Sequence, residues 1–438
     1  MRVAVIGNGG REHALAWKLA RHGHQVVVMP GNGGTACFEQ AAVAPTDLPG
    51  VRAACRELRV ELVIVGPEGP LAAGLVDSFT SFGIPILGPT SAAARLESSK
   101  AWAKDFMARH GVATATFVTC TRPEEARPLI ERLDGTVVVK HDGLAAGKGV
   151  IVCANRAQAW QAIATIQEHF GSTAPFVVEE RLTGPELSLI VLTDGETLVP
   201  LTPAQDHKRL LDGDLGPNTG GMGAYCPVPW CTPELMAEIE RQVTGPTLAG
   251  LATEGLPYRG FLYFGLMLTP AGPRLLEYNV RLGDPEAEVV LPALSEDLAE
   301  LALACCAGRL RERPLPAKTE PVACFVDVVL TAAGYPGSYQ TGLPISGLSD
   351  LPPDVLVFHA GTAPADDGRG ADDHGGTDDR DGADDPRVVT AGGRVLNVVG
   401  QGISLPSAAA AAYAACRRIH FEGCHYRRDI AARTERTA

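Results

Sequence analysis

The sequence has no long apolar segment. Its apolar runs, such as Val26–Met29 and Leu62–Val65, are as long as a short strand. None approaches the roughly 18 residues that a membrane-spanning helix requires. Residues Met1–Gly7 are typical of a strand that leads into a glycine turn, and they lack the longer apolar stretch of a signal peptide. We therefore expect a cytoplasmic protein that does not contact a membrane.

Basic residues are also in short supply. Of 438 residues, 38 are Lys or Arg and 51 are Asp or Glu, so the formal net charge is −13. This balance does not favour a basic groove for nucleic acid. Residues 366–385 hold nine Asp and two Arg, which amounts to −7. We expect 364–386 to be a solvated, disordered insert; a calcium loop is less favoured, since Val388 would stand where Glu is needed.

The eleven cysteines lack the spacing of a metal site or a disulfide framework. They form no Cys-x-x-Cys pair, and their number is odd. We expect reduced thiols that serve as small apolar side chains.

The order of patterns predicts a multidomain protein of α/β and α+β class. Residues 1–102 alternate short β-branched strands with helices, including one helix over 92–103, which predicts a parallel Rossmann-like sheet. Residues 103–320 are richer in antiparallel hairpins, carry a helix near 233–253, and contain a long connection over about 205–223 that we predict to lack regular structure. Residues 321–438 predict a small α+β domain.

Two glycine loops are candidate phosphate sites. Gly7-Asn-Gly-Gly10 follows the first strand and opens a helix, where backbone N–H groups can bind an anion. Glu12 holds the place of the third glycine of a dinucleotide fingerprint, so the loop fits a smaller phosphorylated ligand or an empty tight turn. Gly143–Gly149 lies between two strands and lacks Walker spacing, so we interpret it as a flexible flap over phosphates.

Glu277-Tyr-Asn279 is the candidate metal site. Residues i and i+2 of a strand face the same side. A carboxylate and a carboxamide supply the oxygen ligands that suit Mg²⁺ carrying nucleotide phosphates. Arg281 and Asp284 follow at once and add to a dense polar set.

Two lysines are candidate phosphate contacts. Lys140 ends the apolar strand Val137–Val139, where a lysine is unusual without an anion. Lys104 lies in a helix, and its position alone favours a solvated surface residue. We interpret His207 as a loop histidine and not as a general base, because no Ser or Cys nucleophile accompanies it.

The motifs together resemble one family. The chain is similar to the glycinamide ribonucleotide synthetases, or phosphoribosylamine–glycine ligases, of the ATP-grasp superfamily. The match extends over nearly the whole chain, in the order Gly7–Ala14, Gly66–Glu68, Lys140–Gly149, Gln205–Arg209, Gly216–Tyr225, Arg281–Glu286 and Phe358–Thr362. The resemblance implies a Rossmann-like N-terminal domain, a two-subdomain ATP-grasp core whose flap subdomain spans about 120–190, and a small C-terminal domain.

The resemblance also implies a reaction and its site residues. Glycine, 5-phosphoribosylamine and ATP would give glycinamide ribonucleotide, ADP and phosphate, with Mg²⁺ or Mn²⁺, in a monomer. Metal ligands would be Glu277 and Asn279; ATP contacts would be Lys104, Lys140, Gly147, Lys148, Glu180, Leu182 and Glu186. Substrate contacts would be Gly9, Gly10, Glu68, Asp206, Lys208, Asn218, Thr219, Gly220 and Arg281. Catalytic residues would be Arg281, Lys140 and Asp284.

Three other functions stay open on the residues alone. One is an ATP-grasp ligase that acts on a different carboxylate. Another is a dinucleotide-dependent oxidoreductase, against which Glu12 argues. The third is a non-catalytic nucleotide-binding module, against which the set of Lys, Glu, Asn and Arg side chains argues. The family usually has Ala at the position of His141, so we expect altered packing of the flap there but unchanged chemistry.

Overall fold

The computed structural model describes residues 1–145, 149–313, 323–349, 351–365 and 388–432. The predictions for Gly147, for Lys148 and for nearly all of the acidic tract lie outside these residues. In the described parts of the chain, no helix combines the length and apolar character needed to cross a membrane.

The N-terminal region forms a parallel sheet with helices against it, as predicted. Five strands lie in the order β3-β2-β1-β4-β5. Successive residues of β1 point to opposite faces of the sheet, and both faces are buried. The strand is therefore apolar at every position from Val3 to Ile6. The elements are β1 (Arg2–Gly7), α1 (Gly10–Arg21), β2 (Gln25–Pro30), β3 (Glu39–Gln40), α2 (Leu48–Glu57), β4 (Leu62–Val65), α3 (Glu68–Ala72), α4 (Leu75–Ser78), β5 (Ile86–Leu87) and α5 (Ser91–Ser98).

The middle region contains two antiparallel sheets. One has the order β6-β9-β7-β8, and with α7 and α8 it encloses a separate apolar cluster. The other has the order β11-β10-β16-β17. The elements are α6 (Lys100–Arg109), β6 (Phe117–Cys120), α7 (Arg127–Arg132), β7 (Val137–His141), β8 (Val150–Val152), α8 (Arg156–Phe170), β9 (Phe176–Glu180), β10 (Glu186–Thr193), β11 (Leu198–Pro200), β12 (Gln205–Asp206), β13 (Arg209–Leu211), β14 (Leu215–Asn218), β15 (Gly223–Cys226), α9 (Pro233–Ile239), α10 (Gly245–Thr253), β16 (Gly260–Thr269), β17 (Gly272–Asn279), α11 (Ala287–Ala293) and α12 (Leu298–Cys306).

The C-terminal region shares its main sheet with the middle region. The order is β12-β15-β18-β23-β20, so two strands from the connection over 205–226 complete a sheet built otherwise from residues beyond 323. Helix α13 packs on β23 and β18. The elements are β18 (Cys324–Thr331), β19 (Pro344–Ile345), β20 (Val355–His359), β21 (Thr362–Pro364), β22 (Val388–Thr390), β23 (Arg394–Gly402) and α13 (Leu405–Cys416).

Of three expectations about local structure, one is confirmed and two were wrong. The helix expected over 92–103 is two helices, because Ser99 adopts an extended conformation and caps α6 through its side chain. The helix expected over 233–253 is confirmed as a continuous helical segment, with a π-helical turn, Glu240–Thr244, between α9 and α10. The connection over 205–223 is not structureless, since it contains short strands that pair with each other or with β18. The proposed domain limits stay a prediction.

Candidate active site

One large cleft collects most of the predicted site residues. Its volume is about 1980 Å³, and all three regions line it: the middle region supplies most of the residues, the N-terminal region supplies Glu68 and Glu97 among others, and the C-terminal region supplies Arg394 and Arg427 among others. Of the predicted residues that the structure describes, all but Gly9 and Gly10 line this cleft: Glu68, Lys104, Lys140, Glu180, Leu182, Glu186, Asp206, Lys208, Asn218, Thr219, Gly220, Glu277, Asn279, Arg281 and Asp284.

One wall of the cleft holds two buried lysines around one carboxylate. Lys104 Nζ lies 2.6 Å from Glu179 Oε2, and Lys140 Nζ lies 2.5 Å from Glu179 Oε1. All three side chains are almost fully buried. The two lysines hold the pKa of Glu179 below its ordinary value, although burial alone would raise it. We call these three residues the lysine wall. Its net positive charge suits a polyphosphate.

The lysine wall corrects one expectation and adds one residue. Position alone favoured a surface location for Lys104, yet its side chain is only 3% exposed, and its Nζ also donates to Thr114 Oγ1 at 2.7 Å. The sequence reasoning did not assign Glu179. The signal was available, because a lysine buried at the end of an apolar strand needs an anionic partner.

The lysine wall contacts β17, the strand that ends in Glu277-Tyr-Asn279, at a β-bulge. We call β17 the metal strand, because it carries the two candidate metal ligands. Gly265 pairs with Glu277 and Leu266 pairs with Leu275, so Leu276 is the extra residue on β17. The carbonyl oxygen of Leu276 accepts a hydrogen bond from Lys140 Nζ at 3.0 Å. A predicted phosphate contact and a predicted metal ligand are thus held in one unit.

Glu277 and Asn279 fit a divalent cation that also binds phosphates. Lys208, Lys140 and Lys100 lower the pKa of Glu277 to about 2 against the effect of burial, so the carboxylate is ionised. The Asn279 amide is assigned the orientation that satisfies its neighbours, in which its NH₂ group donates to Glu97 Oε1 at 3.0 Å and its carbonyl oxygen is left to contact a cation. Among the described residues, no group of three or more acidic, His or Cys side chains can hold a metal alone. A two-residue site that relies on substrate oxygens is typical of Mg²⁺.

Lys208 bridges two carboxylates of the cleft. Its Nζ lies 3.4 Å from Glu186 Oε2 and 3.6 Å from Glu277 Oε1. These contacts are longer than those of the lysine wall, and each side chain is 30% to 41% exposed. The carboxylates raise the pKa of Lys208 well above its ordinary value.

Arg281 lies between two glutamates from the N-terminal part of the chain. Its Nε donates to Glu68 Oε2 at 3.2 Å, and its Nη2 donates to Glu97 Oε1 at 2.9 Å. Glu97 also accepts the backbone N–H of Val280 at 2.7 Å. The sequence reasoning did not assign Glu97. The pattern of its helix did not show that Glu97 contacts Val280 and Arg281, which lie 183 and 184 positions further along the sequence.

Carboxyl groups cluster at the floor of the cleft: Asp206 and Asp284 line it, whereas Glu288 and Asp327 are fully buried next to them. Burial raises the pKa of Asp206, of Glu288 and of Asp327, and repulsion from neighbouring acids raises each further. Arg394 is the cation among them, and its Nη2 lies 3.0 Å from Asp284 Oδ1. We call the four acids and Arg394 the acidic floor. Only Asp206 and Asp284 were predicted, because the sequence pattern does not show that β18, β23 and α11 meet here.

The Gly7–Gly10 turn is occupied by a side chain of its own helix. Glu12 Oε2 accepts the backbone N–H of Gly9 at 2.6 Å. A Cβ atom at Gly7 or Gly9 would lie 2.6 or 2.8 Å from the Glu12 side chain, so the glycines make room for this carboxylate. Glu12 therefore occupies a backbone donor of the turn that a bound anion would otherwise use. This explains physically why its place in the fingerprint argues against a dinucleotide.

The remaining residues of interest have the following surroundings. His207 is half-buried, and desolvation lowers its pKa to about 4, which agrees with a neutral loop histidine. The ring of His141 stacks on Phe170 with a centroid distance of 3.7 Å, so it packs at the base of the flap. Gly220 donates its N–H to Tyr335 Oη at 2.9 Å, which ties the predicted substrate loop to the C-terminal region.

Models of one family match most of the chain. The phosphoribosylglycinamide synthetase N domain matches residues 1–97, its ATP-grasp (A) domain matches 98–287, and its C domain matches 325–433. The chain is 46% identical to phosphoribosylamine–glycine ligase of Nostoc sp., with 99% of each chain covered. It is also 46% identical to the trifunctional purine biosynthetic protein adenosine-3 of Bos taurus, but it spans 42% of that protein's length.

Solved structures give the same result. The crystal structure of phosphoribosylamine–glycine ligase from Thermotoga maritima has a TM-score of 0.80 and 37% identity, and covers 98% of this chain and 100% of that one. Biotin carboxylase from Campylobacter jejuni has a TM-score of 0.68 at 15% identity, covering 97% and 92% of the two chains, which shows a shared fold alone.

The fold and the site define an ATP-grasp ligase, an enzyme class that uses ATP to join a carboxylate to a nucleophile. Within that class, the chain belongs to the phosphoribosylglycinamide synthetase family, the phosphoribosylamine–glycine ligases of purine biosynthesis.

Proposed function

We propose that the protein ligates glycine to 5-phosphoribosylamine and converts ATP to ADP and phosphate, with glycyl phosphate as the intermediate. The observation that carries the proposal is the joining of the lysine wall to the metal strand, through the bond from Lys140 to the carbonyl of Leu276. Two buried lysines and an ionised Glu277 therefore line one cleft, which supports the proposal. Such a set serves phosphoryl transfer and needs no protein nucleophile.

The chemistry of glycine requires activation. A carboxylate is a poor acyl donor, because the leaving group would be oxide. Transfer of the γ-phosphoryl group to a carboxylate oxygen gives an acyl phosphate, from which phosphate leaves when the amine attacks the carbonyl carbon. The protein therefore contributes positioning and charge stabilisation.

Each side of the cleft has its own part in this reaction. Lys104 and Lys140 bind the ATP phosphates, the backbone at Glu180 and Leu182 contacts adenine, and Glu186 contacts the ribose. Glu277 and Asn279 hold Mg²⁺ or Mn²⁺, which neutralises phosphate charge when bound.

The acceptor side uses charges of both signs. Arg281 stabilises negative charge on the transferring phosphoryl group, since its guanidinium is fixed by Glu68 and Glu97. Asp206 and Asp284 of the acidic floor contact the amino group of a substrate. Further substrate contacts are proposed for Gly9, Gly10, Glu68, Lys208, Asn218, Thr219 and Gly220.

The reaction is tested by omission of one substrate at a time. With ATP, metal, glycine and phosphoribosylamine all present, ADP release should be matched by a product whose mass equals glycinamide ribonucleotide. Omission of either glycine or phosphoribosylamine should abolish net ADP release. Unchanged ADP release without glycine, but with bicarbonate or another carboxylate, would favour a different ATP-grasp ligase.

A further inference from the structure

A two-stranded ribbon lies over the substrate side of the cleft. It consists of β13, the turn Asp212–Asp214 and β14, and we call it the substrate hairpin. Lys208 precedes it and Asn218 ends it, so its two ends carry predicted substrate contacts. An isolated two-stranded ribbon is marginally stable in water. Leu211 and Leu215 at its turn are exposed, so apolar burial there does not hold it.

The segment His425–Asp429, which follows α13, supplies the missing support. Arg427 Nη1 donates to Asp214 Oδ1 at 2.8 Å and to the carbonyl oxygen of Arg209 at 3.1 Å. The backbone N–H of Gly213 donates to Asp429 Oδ2 at 2.8 Å. Further contacts join Arg428 N to Asp212 Oδ1 at 2.8 Å and His425 Nε2 to Leu210 O at 3.2 Å.

Arg427 is suited to this role by its geometry. Its side chain is 1% exposed, and it forms two hydrogen bonds of 2.8 Å with the two carboxylate oxygens of Asp429. One planar guanidinium therefore contacts both the segment and the hairpin. A lysine keeps the positive charge but lacks the fork, so it can replace only part of these contacts.

The segment itself is fixed to the C-terminal region. His425 exchanges two backbone hydrogen bonds with Thr331 at the end of β18, at 2.8 and 3.0 Å. The backbone N–H of Ile430 donates to Tyr413 Oη of α13 at 2.9 Å. The hairpin is thus attached to β18 and α13 of the C-terminal region, whose sheet also contains the flanking strands β12 and β15.

We propose that His425–Asp429 is a clasp that positions the substrate hairpin, with Arg427 as its principal positioning residue. The effect reaches the substrates through the ends of the hairpin, because the carbonyl oxygen of Lys208 accepts both the N–H and the Oγ1 of Thr219, at 2.8 and 2.9 Å. A loosened hairpin misplaces Lys208 and Asn218 but leaves the lysine wall intact. This inference rests on the proposed function for its kinetic consequence only.

The first test measures order without reference to any reaction. Amide hydrogen exchange over 209–218 should be faster in Arg427→Met by about tenfold or more, since charge-assisted hydrogen bonds are lost. Exchange in β16 should be unchanged. Arg428→Met is the matched control, because Arg428 is exposed and only its backbone N–H contacts the hairpin. Unchanged exchange over 209–218 in Arg427→Met overturns the clasp.

The second test separates positioning from general damage. In Arg427→Met, kcat/KM for phosphoribosylamine and glycine should fall by about 100-fold, while KM for ATP stays within about twofold. Arg427→Lys should recover part of the loss. Equal losses for all three substrates, or no recovery by lysine, contradict a positioning role. The two proposals can fail separately. If Arg427→Met exchanges faster over 209–218 but the wild-type protein has no ligase activity, the proposed function is overturned and the clasp is retained.

A third variant covers failure of Arg427→Met to fold. Asp214→Asn acts on the hairpin side alone, where the Asp214 side chain is 59% exposed. Asn tolerates the left-handed conformation of this residue, whose φ is 59°. It should accelerate exchange over 209–218 with an unchanged melting temperature; wild-type exchange in this variant contradicts the proposal.

Discussion

The lysine wall lines the cleft, whereas the acidic floor lies partly behind its surface, and the two clusters have opposite electrostatics. In the wall, two buried lysines share one carboxylate, and the pKa of Glu179 is lowered. In the floor, several carboxyl groups share Arg394, and the pKa of Asp327 is raised. The wall is thus a fixed ion cluster that has positive charge to spare for phosphates. The floor holds carboxyl groups that burial and mutual repulsion disfavour as anions.

Glu277 lies beside the lysine wall, and its replacement should have the largest effect. Glu277→Gln removes the charged metal ligand while it conserves shape. We expect kcat/KM at limiting Mg²⁺ to fall by about 100-fold or more, with a smaller loss at saturating Mg²⁺. Titration of activity against Mg²⁺ checks this, with Glu124→Gln on the surface as the control. Wild-type turnover of Glu277→Gln at limiting Mg²⁺ would show that the metal site is elsewhere.

Neutralisation of one acid in the lysine wall and of one in the acidic floor should change the free energy of unfolding by different amounts. Glu179→Gln leaves two buried lysines without their anion, so we expect a loss of about 3–5 kcal/mol in the free energy of unfolding. Asp327→Asn removes an acid that is already disfavoured as an anion, so stability at pH 8 should be unchanged or higher. Urea unfolding of both variants measures the difference. Equal losses in the two variants would mean that the regions do not differ as described.

The two regions should also differ in their pH dependence. The folded-state pKa of Glu179 is lowered, so its contribution is present above the unfolded value of 4.5 and is lost as pH falls. The folded-state pKa of Asp327 is raised above its unfolded value of 3.8, so the floor loses stability as pH rises above that value. Between pH 5 and 8, Asp327→Asn should therefore have a flatter stability profile than the wild-type protein. A steeper profile would contradict the assignment.

Lys208→Met should have the smallest effect on stability. Its contacts of 3.4 and 3.6 Å are long and partly exposed, and such pairs contribute up to about 1 kcal/mol. Calorimetry should show a melting temperature within about 2 °C of the wild-type value, whereas substrate turnover should fall. A large loss of stability would place Lys208 with the lysine wall.

The sequence predicted local features better than contacts between distant elements. Lys140 was singled out by its place at the end of an apolar strand, and the alternation of strands and helices over 1–102 is confirmed as a parallel sheet. Lys104 was assigned through the family resemblance alone, because a helix pattern does not show which polar residue turns inward. Glu97 and Arg394 were missed for a related reason, since their partners lie more than 100 residues away.

The connection over 205–226 shows the same limit. Its short strands have few apolar residues and weak local preference, so the sequence alone favoured irregular structure. Pairing with β18 and the contacts of the clasp supply the order instead. Tertiary contacts outweigh local propensity at such places.

The most direct measurement of the central claim follows the oxygen atoms of glycine. Glycine labelled with oxygen-18 in its carboxylate is converted with ATP and phosphoribosylamine, and the released phosphate is analysed by mass spectrometry. An acyl phosphate requires one carboxylate oxygen to leave with the γ-phosphoryl group, so one labelled atom should appear in phosphate per turnover. Unlabelled phosphate, with ligation intact, would contradict activation of the carboxylate.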